Sequence, residues 1–236
     1  MWEQVKRVLK PKGAFVTTSS QPFTTVLIAS NLEMFRHDWV WNKVAGSNFG
    51  NVKYSPFRIH ESILVFGFGV TTFNHQYQKA SKRFGKLSNA PSDVTMNAEG
   101  FRRDGVGYPQ SIQEFMRPNN LTGGGYHPTQ KPVDLYRYLV RTYTNPAEVV
   151  LDITMGSGTT GVACVQEGRE FIGIEKELSY FSIAESRLKE AVLQPSLFTP
   201  SNNRLHLTGG GLPATQSSFT AEVIPPAKLP AKSPRR

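Results

Sequence analysis

The sequence predicts an α/β fold, an open and mostly parallel sheet with helices on both faces, and three observations predict it. Short apolar runs alternate with amphipathic stretches along the chain, the pattern of strands covered by helices. Val149, Val150 and Leu151 form a compact apolar run of the kind buried on both sides in parallel sheets. That run leads through a Gly-Ser-Gly turn into a helix and then into a second run, FIGIE, which ends on Glu175.

Taken in order, residues 2–10 place Val5, Val8 and Leu9 on one face with charges opposite, predicting an amphipathic helix that Pro11 and Gly13 end. Residues 14–18 predict a strand and residues 22–34 a helix opening at Pro22. Residues 38–43 and 60–67 predict two further strands joined by a Gly/Asn-rich loop. From Phe68 to Gly125 the chain is polar and basic, with scattered aromatics and no sustained period, and predicts a large loop or variable recognition region. Order returns with a helix near 133–144, the strand–turn–helix–strand unit around 149–175, and a helix at 178–192. After Pro195 the chain is rich in Pro, Ser, Thr and Gly and is expected to be a disordered basic tail. The predicted regions are therefore 1–67, 68–125, 126–194 and 195–236.

Composition narrows the classes. The 236 residues suffice for a sizeable core, and no apolar run is long enough to span a bilayer as a helix. A single cysteine, Cys164, excludes an internal disulfide framework and a cysteine-rich zinc site, and a cytoplasmic location is expected. Cys164 lies among apolar neighbours in GVACVQ and reads as a core residue rather than a nucleophile. His37 and His60 have no metal-ligand partners at useful spacing, read as structural, and no metal is expected. A formal net charge of +9 and a pI near 9.7 favour a polyanionic partner.

The unit around 149–175 predicts a pocket for a nucleoside-bearing cofactor. Gly156 and Gly158 allow a tight turn and close approach to a ligand, and Thr159 and Thr160 open a helix whose free N–H groups face the pocket. Glu175, about twenty residues on, can grip two ribose hydroxyls. An isolated Gly-x-Gly marks an ordinary turn, and an isolated acid at a strand end is a solvated charge. Their succession is what points to a cofactor. Gly161 nearly completes a dinucleotide fingerprint. Asp152, however, would repel a pyrophosphate and suits a cationic group better, such as the amino group of a methionine moiety. A nicotinamide-dependent oxidoreductase remains the competing reading of this unit.

HPTQKP at 127–132, followed by LDITMGSGTTGVAC and FIGIE, resembles the amino-methyltransferases that act on DNA, and more narrowly the beta group, whose cofactor half is C-terminal. WEQVKRVLKPKGAFV, WVWNK and HESILVFG occur in the family's order, so the resemblance covers about residues 1–192. It implies a Rossmann-like methyltransferase sheet and S-adenosylmethionine as donor. By position, Asp152, Gly156, Ser157, Gly158 and Thr159 would line the methionine and ribose end, and Glu175 would take the ribose hydroxyls. His127, Thr129 and Lys131 would cap the methionine carboxylate, which suits Lys131 by charge. The family often has Pro-Phe after the strand's Asp, where this chain has Ile153-Thr154.

The resemblance also implies an acceptor motif, Asp/Asn/Ser-Pro-Pro-aromatic, on a strand preceding the first helix. The only Pro-Pro here is Pro225-Pro226, so no catalytic residue is assigned in this chain. The motif matters because the exocyclic amine of a base is a poor nucleophile that must be oriented, while the aromatic stacks on the flipped base. In the family's sheet the motif's strand lies between the strands at 149–153 and 14–18, so one central strand is expected to be missing. An upstream segment or a complementing N-terminal chain would supply it. The basic segment between HESILVFG and HPTQKP would read double-stranded DNA, with Lys82, Arg83, Arg102 and Arg103 as phosphate and base contacts. The leading function is an adenine N6 DNA methyltransferase. Cytosine N4 methylation, or an inactive DNA- and cofactor-binding fragment or subunit, is the alternative. Relatives in the family often form homodimers.

Overall fold

The computed structural model describes residues 1–46, 49–79, 106–118, 130–193 and 222–224. The chain divides into two compact units, one of Met1–Arg117 with Arg141–Tyr143, the other of Pro118–Val140 with Thr144–Arg236. No helix among the described residues is long and apolar enough to cross a membrane.

In the first unit, α1 (Trp2–Val8) carries Glu3 in its first turn and Lys6 and Arg7 in its last, charges that complement the helix dipole. It buries Val5 and, with Trp2 and Leu9, covers a cluster of Leu27, Met34, Leu64 and Phe66. β1 (Phe15–Ser19), α2 (Phe23–Ala29), β2 (Phe35–Asn42) and β3 (His60–Phe66) follow. The sheet order is β1–β3–β2–β6, with β6 at Ile112–Glu114. β3 is antiparallel to both its neighbours. The parallel expectation therefore does not extend to β3: among the described residues the β2–β3 connection holds only a 3-10 turn (Phe49–Asn51) and no α-helix to carry a crossover, and a strand returning without one runs antiparallel. Ile63, Leu64, Val65 and Phe66 are fully buried, as a continuous apolar run in a central strand should be.

β6 lies inside the segment expected to be a large loop. It pairs parallel with β2, Val40 opposite Ile112, and the Trp41 indole donates to the Phe115 carbonyl at 2.8 Å. Its three residues are too few for a period to show in the sequence. The same segment contributes a two-stranded ribbon, β4 (Gln78–Lys79) against β5 (Val106–Gly107).

The second unit holds α3 (Val133–Tyr143, its last residues counted with the first unit), β7 (Val149–Asp152), α4 (Thr159–Glu167), β8 (Glu170–Ile174) and α5 (Leu178–Leu193). β7 and β8 pair in parallel, Val149 opposite Glu170 through Asp152 opposite Gly173. The core gathers Met155, Val162, Ala163, Cys164, Phe171, Ala184 and Leu188, with Val133 and Tyr136 packed on it. Gly173 in β8 makes room for this packing, since a Cβ there would meet the Met155 sulfur at 2.3 Å. β9 (Glu222–Ile224) adds a third parallel strand beside β8. It falls within 195–236, where no structure was expected, and it covers the β8 edge that β7 leaves open. The remainder of that segment lies outside the described residues.

The four-stranded and the three-stranded sheet share a feature. Among the described residues, β7 pairs only with β8, and β1 pairs only with β3. Val149, Leu151 and Ile153 are 42%, 40% and 54% exposed, although their apolar run has the character of a strand buried on both faces.

Candidate functional site

The second unit builds its site on the end of β7. Asp152 closes the strand, and its carboxylate is held locally. One oxygen accepts the Thr154 amide at 3.0 Å, and the other accepts the Thr160 hydroxyl. The chain then turns through Gly156 and Gly158, both at positive φ (53° and 78°), a conformation that side-chain-bearing residues rarely adopt. Gly158 is the N-cap of α4 and sits so close to α5 that a Cβ would meet the Ala184 Cβ at 2.9 Å. Two independent constraints thus require glycine at 158.

Glu175, just past β8, reaches back across this turn. Its Oε2 accepts the Gly156 amide at 2.8 Å, and its Oε1 accepts the Glu177 amide at 2.9 Å. The Met155 amide adds a bond to the Ile174 carbonyl at 3.0 Å, so the turn is tied to the end of β8 by side chain and backbone together. Asp152, Gly156, Ser157, Gly158, Thr159 and Glu175 are brought into one constellation, with Ser157, Thr159 and Thr160 buried.

The sequence reading missed Arg187. From α5 its Nη1 donates to the Ser157 carbonyl, to the Ser157 hydroxyl at 3.1 Å and to the Thr159 hydroxyl at 3.4 Å. A signal was present, since Arg187 lies between Ala184 and Leu188 on the helix and borders the face they bury. Lys131 is half-buried, two residues before Val133, which packs on the core that includes Met155. His127, Thr129, Lys82, Arg83, Arg102 and Arg103 lie outside the described residues.

Cys164 is fully buried within α4. Burial pushes its thiol pKa up to about 12, against a smaller lowering by Arg169 and small increases from Asp152 and Glu167. That is the opposite of an activated nucleophile. His37 packs among rings in the first unit. Burial lowers its pKa, and Asp38 raises it by less. The Trp39 indole donates to the Tyr143 hydroxyl at 2.6 Å, and that hydroxyl lies 2.7 Å from His37 Nε2. The Tyr143 hydroxyl therefore accepts from Trp39 and shares a second hydrogen bond with His37 Nε2. The His37 ring packs against Trp39, Phe73 and Tyr143, and burial favours the neutral imidazole.

Residues 1–186 match the N6/N4 methyltransferase family, described as DNA methylase. The chain is 30% identical over 210 residues to the type II methyltransferase M.HinfI of Haemophilus influenzae, covering 83% of this chain and 52% of that protein. It is 43% identical over 67 residues to the putative methylase YubD of Escherichia coli K12, covering 28% and 30%. The chain thus spans about half or less of the length of these two relatives. Among solved structures, the M1.HpyAVI–SAM complex superposes with a TM-score of 0.57 at 27% identity, covering 78% of each chain. The cytosine-N4-specific PvuII DNA methyltransferase superposes at 0.53 with 19% identity, covering 82% of this chain and 66% of that one, a likeness of fold.

Proposed function

Because the chain belongs to the DNA methylase family, we propose that its glycine turn holds S-adenosylmethionine and that it serves methyl transfer to an exocyclic amino group of a DNA base. Of the two acceptors, adenine N6 is our reading. The observation that carries the proposal is the constellation at the end of β7, an acid-closed strand and a glycine turn pinned by Glu175.

The residues present fit such a donor. Each oxygen of Glu175 uses one acceptor site on a backbone amide and keeps another, so ribose hydroxyls can be accepted without releasing the turn. Asp152 places negative charge beside the turn, which favours an ammonium group over a pyrophosphate. Arg187 holds Ser157 and Thr159 from behind. His127, Thr129 and Lys131 would take the methionine carboxylate, Lys131 by charge. Bound there, S-adenosylmethionine would supply a sulfonium methyl, for which transfer is mainly a matter of positioning. Lys82, Arg83, Arg102 and Arg103 would hold DNA through phosphates and base edges.

The acceptor side is proposed to come from polypeptide beyond this sequence, as an upstream segment or a complementing chain. Support lies in the second edges of β7 and β1, unpaired among the described residues, and in the exposure of Val149, Leu151 and Ile153. Open edges and apolar strands of this kind ask for a further strand. The test is methyl transfer from tritiated donor to duplex DNA, with and without an added chain carrying the Pro-Pro-aromatic strand. Label is expected in N6-methyladenine, and only with the added chain. Transfer by this chain alone would overturn the complementation, and label in N4-methylcytosine would overturn the acceptor.

A further inference from the structure

Leading into β4, from Phe73 to Gln78, aromatic and amide residues alternate in the sequence. Asn74, Gln76 and Gln78 are tied down. The Asn74 amide donates to the Thr142 carbonyl at 2.7 Å and its side chain to the Arg141 carbonyl at 3.0 Å. The Arg141 guanidinium donates to Gln76 Oε1 at 3.1 Å. Gln78 donates to the buried Gln113 at 2.7 Å, and Gln113 donates to the Gln110 carbonyl at 2.7 Å. The intervening residues, Phe73, His75 and Tyr77, are all aromatic.

These rings form a row. Phe73 stacks on Trp39 at 6.0 Å and 13° and meets His75 at 5.1 Å. His75 meets Tyr77 at 5.9 Å and Tyr108 at 5.1 Å, and the two tyrosines lie 5.7 Å apart. Phe73 is half-buried and His75 exposed, while Tyr77 and Tyr108 are each 46% exposed. The row therefore runs from the interior to the surface, and it stands at the β4–β5 ribbon. The sequence between the ribbon's strands, 80–105, carries five Lys/Arg and three Asp/Glu. Exposed rings on a backbone held by such hydrogen bonds lose little freedom when a flat ligand stacks on them.

We propose that His75, Tyr77 and Tyr108 form a stacking surface for unpaired nucleobases of the nucleic-acid substrate. The inference rests on the DNA reading above and adds to it a site and a kind of contact. A ring face accepts any base, so the surface holds an unstacked nucleotide without reading its identity. A chemistry that takes a base out of the helix creates such nucleotides.

Fluorescence anisotropy on the full chain tests this with two labelled probes, oligo(dT) and an abasic phosphodiester chain of equal length and charge, at matched salt. Oligo(dT) is expected to bind at least about tenfold more tightly, on the order of one stacked base. Tyr77→Leu with Tyr108→Leu should erase that ratio while leaving the salt slope and melting temperature unchanged, and the Tyr→Phe pair should keep it. Equal affinity for both probes, or a ratio that survives the leucine pair, overturns the stacking surface while leaving DNA binding intact. Binding of neither probe at low salt overturns the DNA reading with it. Self-association that the leucine pair abolishes, with no base preference, would give the rings to a second copy of the chain and overturn the proposal.

Discussion

Glu175 accepts a backbone amide on each carboxylate oxygen, so its charge shapes the glycine turn. Glu175→Gln converts one oxygen into a donor that must oppose one of those amides. It is expected to weaken S-adenosylmethionine binding by at least about tenfold, within the ~1.5–3 kcal/mol of a charged hydrogen bond, measured by calorimetry. Cys164 gives a contrasting residue. Its thiol pKa is pushed from 9.0 to about 12, so the folded chain holds the proton more tightly than the unfolded one. Its contribution to stability is full below pH 9.0 and falls as pH rises toward about 12. Iodoacetamide at pH 8 should therefore leave native protein unlabelled and label it after unfolding, and rapid native labelling would contradict this. His37 works in the other direction. Its pKa is lowered, so its network is intact above the ordinary value of 6.5 and weakens as pH falls below it. The melting temperature should drop between pH 7 and pH 5, and His37→Gln, which keeps an acceptor but does not titrate, should flatten that drop.

The elements that the sequence made legible are those with strong periods or long apolar runs. The expected helix at 133–144 appears at Val133–Tyr143, and that at 178–192 appears at Leu178–Leu193. The strand at 60–67 appears at His60–Phe66, where four consecutive buried residues carry the signal. β4, β5 and β6 were not legible, because two or three residues show no period and their partners are distant in sequence. The period-two run Phe73–His75–Tyr77 was present but sat in a segment whose composition reads as loop. Arg187 was hidden differently, since a cation on a surface helix is ordinary until α5 is known to pass behind Ser157. Arg187→Met removes bonds to Ser157 and Thr159 while leaving Ala184 and Leu188 packed. It is expected to reduce cofactor affinity about tenfold, by the same charged-bond magnitude, with only a small loss of helicity by circular dichroism.

At the scale of the whole molecule, the chain belongs to the DNA methylase family, and β1 and β7 each leave one edge unpaired among the described residues. The order of motifs made the family and the cofactor turn legible, because a glycine turn, a helix and a strand-end acid are local in sequence. The cations expected to contact DNA and the histidine and threonine of HPTQKP fall outside the described residues. The open edge of β7 predicts that its outward amides exchange rapidly with deuterium in this chain alone and slow when a chain carrying the proposed complementing strand is added. The most direct test of the account is calorimetric titration of this chain with S-adenosylmethionine and, in parallel, with NAD. Saturable binding of S-adenosylmethionine, lost in Glu175→Gln, with no heat from NAD, is the predicted result. Absent binding of S-adenosylmethionine, or preferential binding of NAD, would contradict it.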